Sequence, residues 1–363
     1  MLKVIAHANA QTYYLSHFYT GLWELAHAGK IQLKFVYPWS LRGRVSQLGE
    51  PPMNEVLWMV VEDTDSGAVR KVCYDHHDKS YLFADKALEL CDVYFKRSYV
   101  QADVDKLAPA LAQKVVRMGF DFPCRSAHDR SAIQRSMAFY FAHKFDVRQL
   151  RQSAKTFYTT AWYLRENFRS PTIEDFEDSP TSEAEPKILY QTRVYSPGEN
   201  TDTTNVNEWR VSIIRALKKE FGDRFVGGLQ VNEFSKTNYP DCLTTRQADR
   251  WSFISMVKSN LIAVETRGLH YSTSWKMGEY MAAARCIVSE PPRHELPVPL
   301  EDGVHVMKFT TPDECVAACA RVLDDPTLAA KLRHNAHQYY LDDVRPAVRV
   351  AKRLASLFNR AAV

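Results

Sequence analysis

From Lys187 onward the chain alternates short apolar runs with amphipathic stretches, and that alternation narrows the fold more than any other feature. Lys187–Tyr195 reads as a strand, Val206–Phe221 as a helix and Phe225–Leu229 as a strand. Arg246–Ser259 is then helical, Leu261–Glu265 extended, Ser274–Ala284 helical, and Cys286–Ser289 and Val304–Phe309 extended. Helical crossovers between successive strands force those strands parallel, with helices over both faces of the sheet. The chain also opens this way. Leu2–Ala6 is a buried strand, His7–Thr12 a polar loop, Tyr13–Ala28 a helix stopped by Gly29, and Ile31–Tyr37 a second strand. An irregular stretch, Ser40–Asn54, leads to a hairpin of Val56–Glu62 and Ala68–Tyr74. Phe83–Leu90 is helical and Asp92–Lys96 extended. Ser131–Phe168 is mostly helical, and the aromatics of Phe139–Tyr163 fall at helical spacing, which predicts that they pack in a core.

At 363 residues the chain exceeds one typical core. Between its two alternating regions, Pro171–Pro186 sets six carboxylates among Pro, Ser and Thr. That composition fits an acidic linker, and equally a solvated loop inside one domain. The expected organisation is an N-terminal Rossmann-like domain (1–170), the linker (171–186), a C-terminal Rossmann-like domain (187–340) and a final helix (341–363). This is an α/β chain of two Rossmann-like halves facing a cleft, where such proteins bind ligands.

A formal charge of +4, with no basic stripe interleaved with aromatics, argues against nucleic acid as a partner. A mildly basic surface suits an anionic sugar nucleotide and is compatible with peripheral contact with a membrane. No run approaches the ~18 apolar residues of a membrane span, and the N-terminus has no signal-peptide core. Seven cysteines show no paired spacing, and Cys315 and Cys319, one helical turn apart, read as buried thiols. The expected location is cytoplasmic, at most peripheral at the inner face of a membrane.

The densest chemistry lies in Leu261–Glu290. A buried strand ends at Glu265, and a polar loop with Arg267 and Gly268 follows. Ser272, Thr273 or Ser274 then caps a helix whose first turns carry Lys276 and Glu279. A helix N-terminus beside Arg and Lys is an anion site suited to a diphosphate. Glu279 is placed to accept hydrogen bonds from two vicinal ribose hydroxyls. An ordinary N-capped helix with solvated charges fits the same residues.

The run S-x-K-x-x-E-Y-M-A-A-x-x-x-I-V-S-E, followed by E-D-G-V-H (Glu301–His305) and T-P-D-E (Thr311–Glu314), resembles the C-terminal donor domain of group 1-like GT-B glycosyltransferases. The resemblance covers about 80–100 residues. It implies that Glu279 binds the nucleotide ribose, that Lys276 and Ser274 approach the diphosphate, and that the C-terminal helices return to the N-terminal half. It also implies that Arg193, in QTRVYSPGEN, neutralises the leaving diphosphate, although Arg193 equally suits an ion pair with the acidic stretch before it. Many retaining members carry a second glutamate eight positions before the first. Tyr271 stands there, which leaves the stereochemical course open.

In the N-terminal half, Tyr74-Asp75-His76-His77-Asp78 sits at a strand end. Asp75, Asp78 and His7 are the candidate bases for an acceptor hydroxyl. Adjacent histidines in a loop match no usual zinc spacing, so no metal and no separate cofactor is expected. Lys96 and Arg97 read as holders of an anionic acceptor or a phosphate, and Arg210 and Arg215 as surface or structural residues. Arg293, His294 and Glu295 offer contacts to a base or sugar. The expected activity is transfer of a hexosyl-type unit from a nucleotide-sugar donor to a carbohydrate or glycoconjugate acceptor, in polysaccharide or glycoconjugate synthesis. A sugar-nucleotide epimerase on the same double-Rossmann plan, or a non-catalytic binding protein, are the competing expectations.

Overall fold

The computed structural model describes residues 1–7, 13–37, 56–143, 145–196, 198, 202–246 and 249–359. Ser40–Asn54 and the loop after His7 up to Thr12 lie outside the described residues. Two compact units form. One comprises Met1–Ile173, His294–Pro297 and Val344–Val363, the other Glu174–Arg293 and Val298–Asp343.

The first unit holds six strands, β1 (Leu2–His7), β2 (Ile31–Val36), β3 (Val56–Asp63), β4 (Val69–Asp75), β5 (Val93–Lys96) and β6 (Val115–Arg117). Their order is β2-β1-β3-β4-β5-β6. β3 runs antiparallel to both of its neighbours and every other pairing is parallel. The expected hairpin accounts for β3 and β4. Its turn closes through Gly67 at φ +70°, a conformation glycine adopts without strain, while the Asp63 carboxylate accepts from Ser66 Oγ at 2.7 Å. Successive β3 residues face opposite layers, with Val56 and Trp58 in one core cluster and Leu57, Met59 and Val61 in the other. The second of those clusters is closed by the helices Ser16–His27 and Pro346–Ser356. A Cβ at Gly21 would come within 2.4 Å of the Pro346 carbonyl, so the two helices meet where only glycine fits. The last helix therefore packs on the N-terminal sheet unit, as expected.

The second unit holds β7 (Glu185–Thr192), β8 (Phe225–Leu229), β9 (Asn260–Glu265), β10 (Cys286–Ser289) and β11 (Met307–Lys308), in the order β11-β10-β9-β7-β8. All four pairings are parallel. The expected strand Val304–Phe309 shrinks to β11, because Glu301–Val306 folds into a turn closed by Gly303 N–H donating to the Val306 carbonyl at 2.8 Å. The chain leaves β7 for β8 and returns on the other side as β9. β7 and β9 thus flank the topological switch point, where α/β sheets place their ligands. Ile188, Tyr190, Ile262 and Val264 face one core layer. By alternation, Gln191 and Glu265 face the layer that holds the helices Arg250–Ser259 and Trp275–Ala282.

From Glu174 onward the acidic stretch belongs to the second unit. The Asp178 N–H donates to the Ala282 carbonyl at 3.0 Å, and its carboxylate accepts from Arg285 at 2.9 Å. All seven cysteines are free and buried, including Cys315 and Cys319.

One expectation fails. Tyr140 is buried, but Phe157, Tyr158 and Trp162 on the helix Leu150–Arg169 are exposed, and the residues this helix buries are Ser153, Thr160 and Asn167. Helical spacing reports that apolar residues share a face, not that the face meets a core.

Candidate functional site

At the switch point in the second unit, Ser274 caps the helix Trp275–Ala282, its Oγ accepting from the Lys276 N–H at 3.2 Å. Lys276 reaches back to donate from Nζ to the backbone carbonyl of Gln191 on β7. Burial lowers its ammonium below the ordinary value, and the neighbouring Glu265 carboxylate offsets part of that. Glu265, the last residue of β9, is buried, and burial pushes its carboxyl up to about 7 against the opposing pull of Lys276 and Arg210. Its Oε2, both amide atoms of Gln191 and the Tyr280 hydroxyl make no hydrogen bond among the described residues. A polar atom buried without a partner costs about 1–3 kcal/mol, so such a cluster beside a cation is where a binding role is expected.

Glu279 lies one turn along the same helix and is buried. Its Oε1 is 2.7 Å from Nη2 of Arg250, an ion pair outside hydrogen-bond alignment. Arg250 in turn lies 5.0 Å over the Phe176 ring.

The loop ends beside the switch point are tied by Arg210. This buried guanidinium donates to the carbonyls of Arg193 at 2.7 Å and Arg267 at 2.8 Å, joining the ends of β7 and β9. Arg193 itself is exposed, just past β7, and stacks 5.0 Å over Tyr195. Burial alone would raise the Tyr195 phenol, yet Arg210 and Arg193 bring it below its ordinary value. Asn207 clamps the same loop, donating to the Tyr195 carbonyl at 2.8 Å and accepting from its N–H at 2.9 Å. A separate pair, Arg215 with Asp241 at 2.7 Å, lies on the surface.

Arg267 is engaged by the Asp202 carboxylate, at 3.1 Å for its Nη2, while its backbone N–H donates to Glu290 at 2.7 Å. Gly268 and Ser272 close a small loop, Gly268 N–H donating to the Ser272 carbonyl at 3.1 Å. Inside it His270 and Tyr271 take positive φ values of 58° and 60°, a strained backbone for residues with a Cβ. The Tyr271 ring lies between the guanidiniums of Arg267 at 4.1 Å and Arg293 at 4.6 Å. The position where a second glutamate would stand is thus a cationic-aromatic stack. Thr273 is half-buried between this loop and the helix.

In the first unit, the candidates gather at the carboxyl edge of the parallel strands, where Asp75 pairs with Lys96 and Asp78 with Arg97. Asp75 is fully buried and accepts from Lys96 Nζ at 2.8 Å, Tyr94 Oη at 2.6 Å and the His77 N–H at 2.8 Å. Burial favours its neutral form, but Lys96 and His77 outweigh that and hold the carboxyl well below the carboxylate range. Asp75 so held anchors the loop, and its oxygens are committed. Lys96 and Arg97 belong to the same buried network. Lys96 is buried on Asp75 and the Leu82 carbonyl, and buried Arg97 bridges Asp121, at 2.8 Å, to Asp78. Neither cation faces outward toward an anionic acceptor. Asp78 keeps an exposed carboxylate. His7 closes β1, half-buried, and burial lowers its imidazole. His76 pairs with Asp121, and no three His, Cys, Asp or Glu side chains form a metal-binding group among the described residues. Glu295 is taken up within the first unit by Arg117 at 2.5 Å.

Sequence reasoning passed over Glu265, Gln191, Arg250 and Asp202. A charged residue closing the apolar run L-I-A-V-E was a usable signal for Glu265. Pairings such as Arg250–Glu279 and Arg267–Asp202 join residues far apart in sequence and leave no local trace.

Residues 210–355, less than half of the chain, match a family model described as glycosyl transferase-like. The resemblance to glycosyltransferases read from Ser274–Glu290 is borne out over this stretch. No curated protein matches the chain. Among solved structures, the C-terminal domain of the group 1 glycosyl transferase LpcC from Francisella tularensis is 12% identical, with 52% of this chain and 97% of that one covered at a TM-score of 0.32. The Anabaena protein HepE in complex with UDP and glucose is 12% identical, over 79% of this chain and 70% of that one, TM-score 0.38. The UDP-GlcNAc 2-epimerase of Neisseria meningitidis is also 12% identical, over 76% of this chain and 63% of that one, TM-score 0.37.

Proposed function

We propose that the protein is a glycosyltransferase that moves a hexosyl-type unit from a nucleotide-diphosphate sugar to a hydroxyl of a carbohydrate or glycoconjugate. The observation that carries this reading is the position of Lys276. It sits at the start of a capped helix beside the β7/β9 switch point, within the stretch that matches the glycosyl transferase-like family. In this reading Lys276, Arg193 and the N–H groups around Ser272, Thr273 and Ser274 hold the donor diphosphate, with Arg267 and Gly268 shaping the loop. Charge that develops on the leaving nucleotide is stabilised by these fixed cations and dipoles, so the step does not depend on a metal. Glu279 accepts from the ribose hydroxyls.

If the transfer inverts configuration, a base removes the acceptor proton. Asp75 is committed to Lys96 and Tyr94, so the base role falls to His7 or Asp78. A lowered pKa keeps His7 neutral and able to accept a proton near pH 7. The buried free thiols suit a cytoplasmic setting, and polysaccharide or glycoconjugate assembly is the proposed context.

One observation favours a second reading. Glu265 has a carboxyl at about 7 beside Lys276, the kind of acid/base group that a sugar-nucleotide epimerase requires. A thermal-shift screen against UDP-, GDP-, dTDP-, ADP- and CMP-sugars, followed by product analysis with and without an acceptor, tests both. A transferase consumes donor only as acceptor is glycosylated, whereas an epimerase makes an isomeric donor without one. Donor binding with neither product leaves a non-catalytic binding protein. No binding by any donor sinks the proposal.

A further inference from the structure

The helix Leu150–Arg169 presents its apolar face to solvent. Leu150 is 63% exposed, Tyr158 76% and Trp162 52%, while the side facing the protein is polar, Ser153, Thr160 and Asn167. At 100° per residue, Leu150, Phe157 and Phe168 fall within about 20° of one another on the helix circumference. Ring contacts extend this surface to the helix Ala132–His143. Tyr140 and Phe157 meet at 5.3 Å, and exposed Phe141 and Phe145 at 5.6 Å. This face lies wholly within the first unit.

Its charge is one-sided. The helix carries four basic residues, Arg151, Lys155, Arg165 and Arg169, against the single acid Glu166. On the same circumference the four cations flank the apolar centre on one side, interleaved with Tyr158 and Trp162, so the expected absence of a basic stripe among aromatics does not hold on this helix. Apolar residues at the centre, cations at the border and Trp and Tyr between them are the marks of a helix that lies in a bilayer interface.

We infer that this face docks the first unit on an anionic lipid surface, with Leu150, Phe157 and Phe168 entering the headgroup boundary and the flanking cations meeting lipid phosphates. Charge complementarity selects this occupant over a second copy of the chain. A two-fold pairing of the face would set two helices of net charge +3 against each other without compensation.

The test is co-sedimentation of the full chain with phosphatidylcholine vesicles, with and without phosphatidylglycerol. Binding is expected to the anionic vesicles, weakening as salt rises. Replacing Arg151, Lys155 and Arg165 together by Gln removes three interfacial cations and is expected to weaken partition on the order of a hundredfold. Leu150→Ser with Phe157→Ser and Trp162→Ser is expected to abolish it. Circular dichroism and donor binding are expected to stay unchanged in both variants, because every substituted side chain is exposed. If the folded wild-type protein ignores anionic vesicles, or if the charge variant binds them as tightly as wild type, the inference is overturned. A concentration-dependent dimer in sedimentation velocity that the apolar variant loses would also overturn it, by assigning the face to a second copy.

Discussion

Lys276, on the first turn of its helix, donates from Nζ to the backbone carbonyl of Gln191 at the end of β7, so one side chain ties the helix start to the switch point of the sheet. An ammonium carries three N–H donors, and the carbonyl takes one. If the remainder meet a donor phosphate, Lys276→Met removes a charge-assisted hydrogen bond worth about 1.5–3 kcal/mol. Donor affinity by calorimetry is then expected to fall about tenfold to a hundredfold. The substitution also removes the cation that most favours the Glu265 carboxylate, so some loss of stability accompanies it in urea. An unchanged donor Kd in a folded variant excludes Lys276 from the diphosphate site.

Glu279 is buried and pairs with half-buried Arg250, and the two halves of the pair should respond differently. Glu279→Gln keeps the shape and loses the charge. About a tenfold loss of sugar-nucleotide affinity is expected, the scale of one charged hydrogen bond. Arg250→Met leaves the Glu279 carboxylate uncompensated. It is expected to destabilise the fold by about 2–3 kcal/mol, below the range for a fully buried pair because Arg250 keeps 28% of its side chain in water. Thermal-shift curves with and without donor separate the two effects. A Glu279→Gln variant that binds donor like wild type removes the ribose role.

Glu265 gives the second unit a specific pH dependence. Its carboxyl is pushed up to about 7 in the fold, from an ordinary value of 4.5. Between those values the folded state holds the extra proton, so stability falls as pH rises through this window. The integrated loss is on the order of 3 kcal/mol at most, since each pKa unit is worth about 1.4 kcal/mol. Glu265→Gln is expected to flatten unfolding free energies measured from pH 5 to 8. Donor binding should also weaken over the upper part of this range, as a second negative charge develops beside the diphosphate. A wild-type protein with no stability slope there contradicts the assignment.

The sequence made the strand and helix alternation legible because burial imposes it locally. Phe225–Leu229 and Cys286–Ser289 match their expected bounds, and the β3/β4 hairpin was visible from its turn. The Ser274 cap and the Lys276 and Glu279 positions were readable for the same reason: they fall on one helix with fixed spacing. What each side chain touches was not readable. Arg210 looks like any surface arginine until the ends of β7 and β9 converge on it. The aromatics of Leu150–Arg169 show the limit of periodicity, because an apolar stripe has the same spacing against a core as it has facing outward.

Asp75 separates an anchoring role from a catalytic one. Both Asp75 and Lys96 are fully buried, and the pair sits 2.8 Å apart. Removing one partner leaves the other charge uncompensated inside the protein, which costs about 3–5 kcal/mol. Asp75→Asn is therefore expected to lower the unfolding free energy by that amount in urea, and Asp75→Asn combined with Lys96→Met by less than the sum of the singles. Because Lys96 and His77 depress the Asp75 carboxyl, its contribution is present above the ordinary carboxylate pKa and is lost as pH falls toward the folded value. The wild-type stability advantage over Asp75→Asn should thus shrink on acidification below about pH 4. A general base predicts the opposite pattern, a large fall in kcat at unchanged stability. If Asp75→Asn unfolds like wild type yet transfers no sugar, the anchoring role is wrong and the base role returns to Asp75.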